Sequence, residues 1–345
     1  GSQEDRAAIE VHDIGLEPVR NAAGELGFRV LVGGGLGRTP VVGSFINEFL
    51  PWQDLISYLD AILRVYNRYG RRDNKYKARI KILVKALTPE VFAEKVEAEM
   101  VHLRGGTTTL TEAEVQRVSR HFVDPEYLAL DNVDYTALDA EHPGFARWRS
   151  RNTRAHKRPG YVAVTLSLKP TGVAPGDLTD KQLDAVADLA ERYSFGFLRT
   201  SHEQNIILAD VEQRQLHALW LELREGGFAT PNIGLLTDII CCPGGDYCSL
   251  ANAKSIPIAE SIQRRFDDLD YLFDIGEIDL NISGCMNACG HHHVGHIGIL
   301  GVDKKGEEFY QVSLGGNAAR GASLGKILGP SFAQDDMADA VSYTH

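Results

Sequence analysis

The sequence predicts an α+β fold built by duplication, with a ferredoxin-like half-domain and mixed αβ lobes. Three observations predict it. A strand–helix–strand–strand–helix run lies between Tyr161 and Glu225, the signature of a small split βαβ unit. A stretch near the front recurs near the end at a constant offset, Gly33 answering to Gly315, Arg38 to Arg320 and Gly43 to Gly325. The chain has 345 residues and is 43 % apolar, enough for two or three cored domains.

Composition excludes several classes of function. The net charge is −11, from 36 basic and 47 acidic residues, which argues against general nucleic-acid binding. No run of 18 apolar residues occurs and no secretory signal precedes Ala7, so no membrane association is expected. Five cysteines, four of them in two close pairs, point to a reducing cytoplasm rather than a disulfide framework.

The elements follow in order. Residues 8–16 read as a strand, with turn chemistry at 21–24 and a second strand at 28–32 closing a hairpin. A glycine run, Gly33-Gly-Gly-Leu-Gly-Arg38, comes next. Pro40 follows it closely and no helix starts at once, so a tight turn or close backbone approach to another ligand fits better than a dinucleotide loop. Leu55, Leu59, Ile62, Leu63 and Tyr66 recur at helical spacing within 45–69. The segment from Gly70 to Lys81 carries six basic residues between Arg71 and Lys81 in an acidic chain, either a solvated turn or an anion site. Residues 80–87 are a strand or helix, and 88–104 a helix opened by Thr88-Pro89-Glu90.

Residues 107–158 are polar and irregular by pattern, with one short helix at 111–122, and read as a connector. Residues 161–168 form a strand, 179–193 a helix capped by Thr179 or Asp180, 196–200 with 205–209 a strand pair, and 211–225 a helix. An amphipathic helix at 249–263 and a strand at 277–282 complete the last third, and 342–345 end without a convincing final helix. The domain expectation is therefore 1–105, a connector at 106–158, the half-domain at 159–228, and a final lobe at 229–345.

Two cysteine pairs organise that lobe. Cys242-Pro-Gly-Gly-Asp-Tyr-Cys248 is a C-x5-C and Cys285-Met-Asn-Ala-Cys289 a C-x3-C, with 36 residues between them. Thiolates at i and i+4 share one face of a helical turn, and a Pro-Gly-Gly turn folds the first pair toward a common centre. Four converging thiolates in a reducing compartment hold zinc or an iron–sulfur cluster. Structural zinc sites mostly use two tighter pairs, which leaves this spacing unusual for zinc. Cys241 is the odd cysteine, read as a small buried hydrophobe.

The motif, with its Ser-Gly-Cys285-Met-Asn setting, closely resembles that of the sirohaem-dependent sulfite and nitrite reductases, of the assimilatory sulfite reductase beta-component type. The resemblance covers nearly the whole chain. It implies a [4Fe–4S] cluster on Cys242, Cys248, Cys285 and Cys289, with Cys289 also bridging to a sirohaem iron. Ser283 and Asn287 match positions near the sirohaem. Lys75 and Lys77 fall on a Lys-x-Lys segment that reaches the bound oxyanion. Arg199, Thr200 and Gln204 match an Arg-Thr…Gln segment that either meets the sirohaem or caps the sheet. His291, His292, His293 and His296 resemble one branch of the family and are read as packing around the cofactor rather than as a separate metal site.

The implied reaction is the six-electron reduction of sulfite to sulfide, or alternatively of nitrite to ammonia. Electrons come from an external ferredoxin or flavoprotein subunit, since no flavin or nicotinamide domain is seen. The repeat also implies a missing front of about 126 residues, counted from where the second copy begins. In the family that portion carries two arginines that clamp the oxyanion. Two readings of other classes remain: a [4Fe–4S] electron carrier or inactive fragment without sirohaem, and a zinc-stabilised structural protein.

Overall fold

The computed structural model describes residues 4–344. Residues 1–3, and His345 of the stretch 342–345 read as ending without a final helix, lie outside the described residues. The chain divides into two units. One comprises the front to Asp124 together with 317–324, and the other runs from Pro125 to Gly316 and from Gly325 onward.

The first unit is a three-stranded antiparallel sheet covered by helices. Its strands are β1 (Ile14–Arg20), β2 (Leu26–Val32) and β3 (Ser44–Pro51), in that order. Helices α1 (Leu55–Tyr69), α2 (Ile80–Leu87), α3 (Pro89–Leu103) and α4 (Glu112–Ser119) follow. Val30, Val32 and Leu50 from the sheet meet Tyr58, Ile62 and Val65 of α1 and Phe92, Val96 and Met100 of α3 in one buried cluster. The first strand starts later than its pattern suggests, because Ile9–Val11 form a 3-10 turn. β3 lay hidden in a stretch read as helical, where Phe45 and Phe49 alternate with Ile46 and Leu50 before Pro51 stops the strand. Leu63, assigned to the core face of α1, is exposed; Ala61 takes its place.

The glycine run has a specific task. The Lys81 ammonium, only 6 % exposed, donates to the carbonyls of Leu36 and Thr39 at 2.7 Å and of Gly35 at 3.3 Å. A Cβ on Gly35 (φ 157°) would lie 3.0 Å from the Lys81 side chain. The ligand that the backbone approaches closely is this lysine. Arg79, two residues earlier, is held by Asp13 through two hydrogen bonds of 2.7 and 3.1 Å.

The second unit holds two sheets. Helices α5 (Thr136–Glu141) and α6 (Pro143–Asn152) precede β4 (Thr153–Ala155) and β5 (Tyr161–Leu166), then α7 (Asp180–Tyr193), β6 (Arg199–Thr200), β7 (Ile206–Glu212) and α8 (Leu216–Glu225). The strands order as β4-β5-β7-β6, all antiparallel. Thr179 caps α7 in a reciprocal capping box with Gln182. α6 was not expected from the pattern of 107–158; its Phe145 and Trp148 are fully buried in this sheet's core.

The other sheet orders as β12-β11-β10-β9-β8. Its strands are β8 (Ile240–Cys241), β9 (Leu280–Ser283), β10 (Ile297–Lys304), β11 (Glu307–Leu314) and β12 (Lys326–Ile327). Between them lie α9 (Gly244–Tyr247), α10 (Ile256–Arg265) and α11 (Leu269–Ile275), and α12 (Met337–Ser342) closes the chain as a short final helix that its pattern did not announce. Ile258 and Ile262 of α10, Leu280 and Ile282 of β9, Ile297 and Ile299 of β10 and Val341 of α12 share one core.

The duplication appears bond for bond. Ile14 pairs with Val32 and Gly15 with Leu31 in one hairpin; Ile297 pairs with Leu314 and Gly298 with Ser313 in the other. Gly33 (φ 79°) donates to Asp13 O and Gly315 (φ 81°) to His296 O, both at 3.0 Å. Gly43 reaches Glu10 O at 2.6 Å and Gly325 reaches His293 O at 2.8 Å. The isolated bridges Gly35–Val41 and Asn317–Ser323 also correspond. The repeat extends back to Ala8 and His291, both left-handed at φ 50° and 56°. The offset changes by one residue across the hairpin, since Ile14 pairs with Val32 and Ile297 with Leu314.

Candidate functional site

The cysteines of the second unit are delivered by two adjacent parallel strands. β8 ends at Cys241, and Cys242 continues the ladder by donating its N–H to Ile282 O at 3.1 Å. Gly244 and Gly245 open the single turn α9, which returns the chain to Cys248. β9 ends at Ser283 and releases the loop that carries Cys285 and Cys289. That loop is not the helical turn its i, i+4 spacing predicted, because Ala288 is left-handed at φ 59°. Glycines stack the two loops back to back. A Cβ on Gly284 would lie 2.6 Å from Ala253 O and 2.8 Å from Gly244 Cα; one on Gly290 would lie 2.0 Å from Ile282 O.

The donor chemistry fits a multinuclear cluster. Cys242 Sγ accepts the Gly284 N–H at 3.1 Å and lies 3.6 Å from Ser255 Oγ. Burial, then the thiols of Cys242, Cys285 and Cys248, push the Cys289 thiol up, so all four sulfurs share one electrostatic neighbourhood. Four thiolates that close repel one another unless metal charge holds them. Zinc draws its ligands to about 2.3 Å from one point. Among the described residues no group of three or more His, Cys, Asp or Glu side chains is placed to hold a metal ion. Cys241 is 4 % exposed, donates Sγ–H to Cys242 O at 3.2 Å, and is driven well above the ordinary thiol range by burial and then by Cys242. It stays protonated and inert.

The remaining sequence candidates separate. Ser283 Oγ is buried and accepts the Gly290 N–H at 3.1 Å, fixing the cysteine loop, whereas Asn287 is exposed on that loop. Arg199 and Thr200 are exposed on β6. Gln204 spends both ends of its amide on Cys241: Nε2 donates to Cys241 O at 2.9 Å and Oε1 accepts Cys241 N–H at 2.8 Å. Lys75 and Lys77 belong to the other unit, exposed on a one-turn 3-10 helix capped by Asn74. Of that segment's cations, Lys81 is the buried one.

The histidine run lies across the polar face of β9. Asn281 Nδ2 donates to His291 O at 3.3 Å, and His296 Nδ1 accepts the Asp279 N–H at 3.0 Å. His292 is 2 % exposed, its ring 3.9 Å from that of His293, and neither of its ring nitrogens has a hydrogen-bond partner. Burial first, then His293 and His291, lowers it from 6.5 to about 3. The folded chain thus refuses a proton that the unfolded chain accepts below pH 6.5, so stability falls as pH falls from 6.5 toward 3. Urea melts of the apoprotein should show about 2 kcal/mol lost to this group between pH 6.5 and 4.5. His292→Phe should remove that part of the acid dependence. Parallel pH profiles for the two proteins would refute it.

A buried network beside the site carries no sequence signature. Lys169 Nζ meets Asp238 Oδ1 at 2.7 Å and also donates to Glu203 O. Asn205 Nδ2 donates to the same Asp238 oxygen at 2.9 Å, and Gly234 N–H to the other at 3.0 Å. The partners lie 69 and 33 positions from Asp238, so only the fold reveals them.

Comparison with known proteins places the chain. Residues 1–103 match the nitrite and sulphite reductase 4Fe-4S domain, and residues 155–226 the nitrite/sulfite reductase ferredoxin-like half domain. The first match contains no cysteine; all five lie between Cys241 and Cys289. "Sulfite reductase [ferredoxin] 2" of Mycolicibacterium paratuberculosis is 26 % identical over 335 residues, covering 93 % of this chain and 53 % of its own. "Ferredoxin--nitrite reductase" of Synechococcus elongatus is 27 % identical over 351 residues, covering 99 % and 60 %. The structure of the Mycobacterium tuberculosis NirA protein superposes with a TM-score of 0.71 at 24 % identity, covering 98 % of this chain and 57 % of that one, a likeness of fold. The chain spans about half the length of the curated relatives it matches. Among the described residues no helix is long and apolar enough to cross a membrane.

Proposed function

The chain belongs to the nitrite and sulfite reductase family, and from that premise we propose that it serves the six-electron reduction of sulfite to sulfide. The observation that carries this reading is the convergence of four thiols on two glycine-packed loops, with Cys242 already accepting a backbone N–H. Relatives named for nitrite and for sulfite match about equally well, so nitrite is the alternative substrate. The donor is a ferredoxin, as the relatives' names say of them, or a flavoprotein subunit. The compartment is the cytoplasm. The proposed division of labour along the chain is 1–105 for the oxyanion, 106–158 as connector, 159–228 as half-domain and 229–345 for the cofactors.

When bound, a sirohaem coupled to a [4Fe–4S] cluster supplies electrons one at a time to the oxyanion. Cys242, Cys248, Cys285 and Cys289 would hold the cluster, and Cys289, the exposed one of the four, would be the thiolate shared with the sirohaem. Asn287 and Arg199 offer exposed polar groups to the macrocycle, while Ser283 keeps the bridging loop in register. Lys75 and Lys77 present ammonium groups that bind oxyanion oxygens and hold protons at Nζ for release as water leaves.

Iron and acid-labile sulfide measured with the visible spectrum of one sample test the reading. It expects roughly five irons and four sulfides per chain together with sirohaem bands. Zinc without labile sulfide would leave a structural protein, and a cluster without sirohaem an electron carrier. In full-length protein, Lys75→Ala and Lys77→Ala should each weaken sulfite binding about tenfold, the loss of one charge-assisted hydrogen bond. Unchanged spectral titrations in both variants would remove these lysines from the site.

A further inference from the structure

β8 is two residues long and sits at the edge of its sheet, with β9 on one side only. An open edge leaves a peptide N–H and C=O without ladder partners. At Cys241 that edge is closed by the Gln204 side chain, whose amide reproduces both bonds of a strand neighbour, 2.8 Å from the N–H and 2.9 Å from the C=O. The donor residue is itself unusual. Gln204 is left-handed at φ 61°, a conformation non-glycine residues rarely adopt, in the tight turn Ser201–Asn205 between β6 and β7. Gly176 leaves it room, since a Cβ there would lie 3.1 Å from that of Gln204. Its neighbours grip the same segment: Glu203 O accepts from Lys169, which pairs with Asp238, and Asn205 donates to Asp238. Three consecutive residues of the half-domain thus hold the stretch 238–241, and the next residue is Cys242.

We propose that Gln204 is a positioning residue for the first cluster ligand, and that the ferredoxin-like half-domain splints the Cys242 arm through it. This rests on the reading of Cys242 as a cluster ligand. The side chain does not reach for the cofactor; it holds the peptide from which the ligand departs. A strained backbone at the clamp is retained because it aims the amide at Cys241.

The test compares Gln204→Gly, Gln204→Asn and Gln204→Glu in cluster-loaded protein. Glycine accepts φ 61° without strain but removes the amide. Asparagine tolerates the same backbone and keeps the amide one methylene short. Glutamate keeps the acceptor for Cys241 N–H but sets a carboxylate against Cys241 O. Gly and Asn variants should lose iron to an external chelator about tenfold faster at a temperature well below melting, the fold-change expected for roughly one hydrogen bond of local support. The EPR spectrum of the reduced cluster should shift in both, and the Glu variant should lower its midpoint potential. Wild-type release rates and spectra in Gly and Asn variants of a chain that holds its cluster would overturn the positioning role. So would faster release that merely tracks a lower melting temperature. A wild-type chain that takes up no cluster at all would overturn the site reading first, and this inference with it.

Discussion

Replacing Cys289 by serine is expected to abolish the coupling between cluster and sirohaem while leaving a folded chain. Cys289 is the exposed member of the four, whereas Cys285 is buried and Cys242 and Cys248 are half-buried. Its thiol is pushed up by burial and by three neighbouring sulfurs, so it ionises readily only against a metal. A serine hydroxyl is harder and far less acidic, and cannot replace a shared soft thiolate. The side chain is exposed, so the fold should survive. The expected result is a spectrum in which any sirohaem and any residual cluster behave independently, with iron content reduced. An unchanged coupled spectrum in Cys289→Ser would refute the bridge and move it to another cysteine.

The chemistry of this site was more legible than its geometry. Thiol spacing singled out four cysteines that the fold brings into one electrostatic neighbourhood. The same spacing misled about local shape: nothing in Met-Asn-Ala announces that Ala288 turns left-handed at φ 59°. The repeat was readable at Gly33, Arg38 and Gly43, yet most of its conserved bonds join backbone atoms and leave no trace in side-chain identity. Strand β3 was lost because a short alternating stretch next to a strong helix shares that helix's apolar content. Helix α6 was lost because its basic surface masks two buried aromatics, Phe145 and Trp148. The glycine run became intelligible only when Lys81, 46 positions from Gly35, filled it.

The largest loss of stability should follow from breaking the Lys169–Asp238 pair one partner at a time. The Lys169 side chain is wholly buried and that of Asp238 only 4 % exposed. Removing either charge strands the other where water cannot reach it, at a cost of about 3–5 kcal/mol. Lys169→Met leaves the Asp238 carboxylate with only the Asn205 amide and the Gly234 N–H to stabilise it. Asp238→Leu leaves an ammonium with one carbonyl. The double variant Lys169→Met/Asp238→Leu removes both charges and should recover much of the loss, because a buried ion pair exchanged whole for apolar groups is often nearly neutral. Urea melts of the four proteins check this as a thermodynamic cycle, with the coupling term read from non-additivity. Single variants within about 0.5 kcal/mol of wild type would mean that water reaches the pair. The double variant also separates stability from site geometry. Asp238 is held by Asn205, the neighbour of Gln204, so a double variant that melts like wild type should still release iron faster if this network aims the Cys242 arm, and at the wild-type rate if the Gln204 amide alone does so.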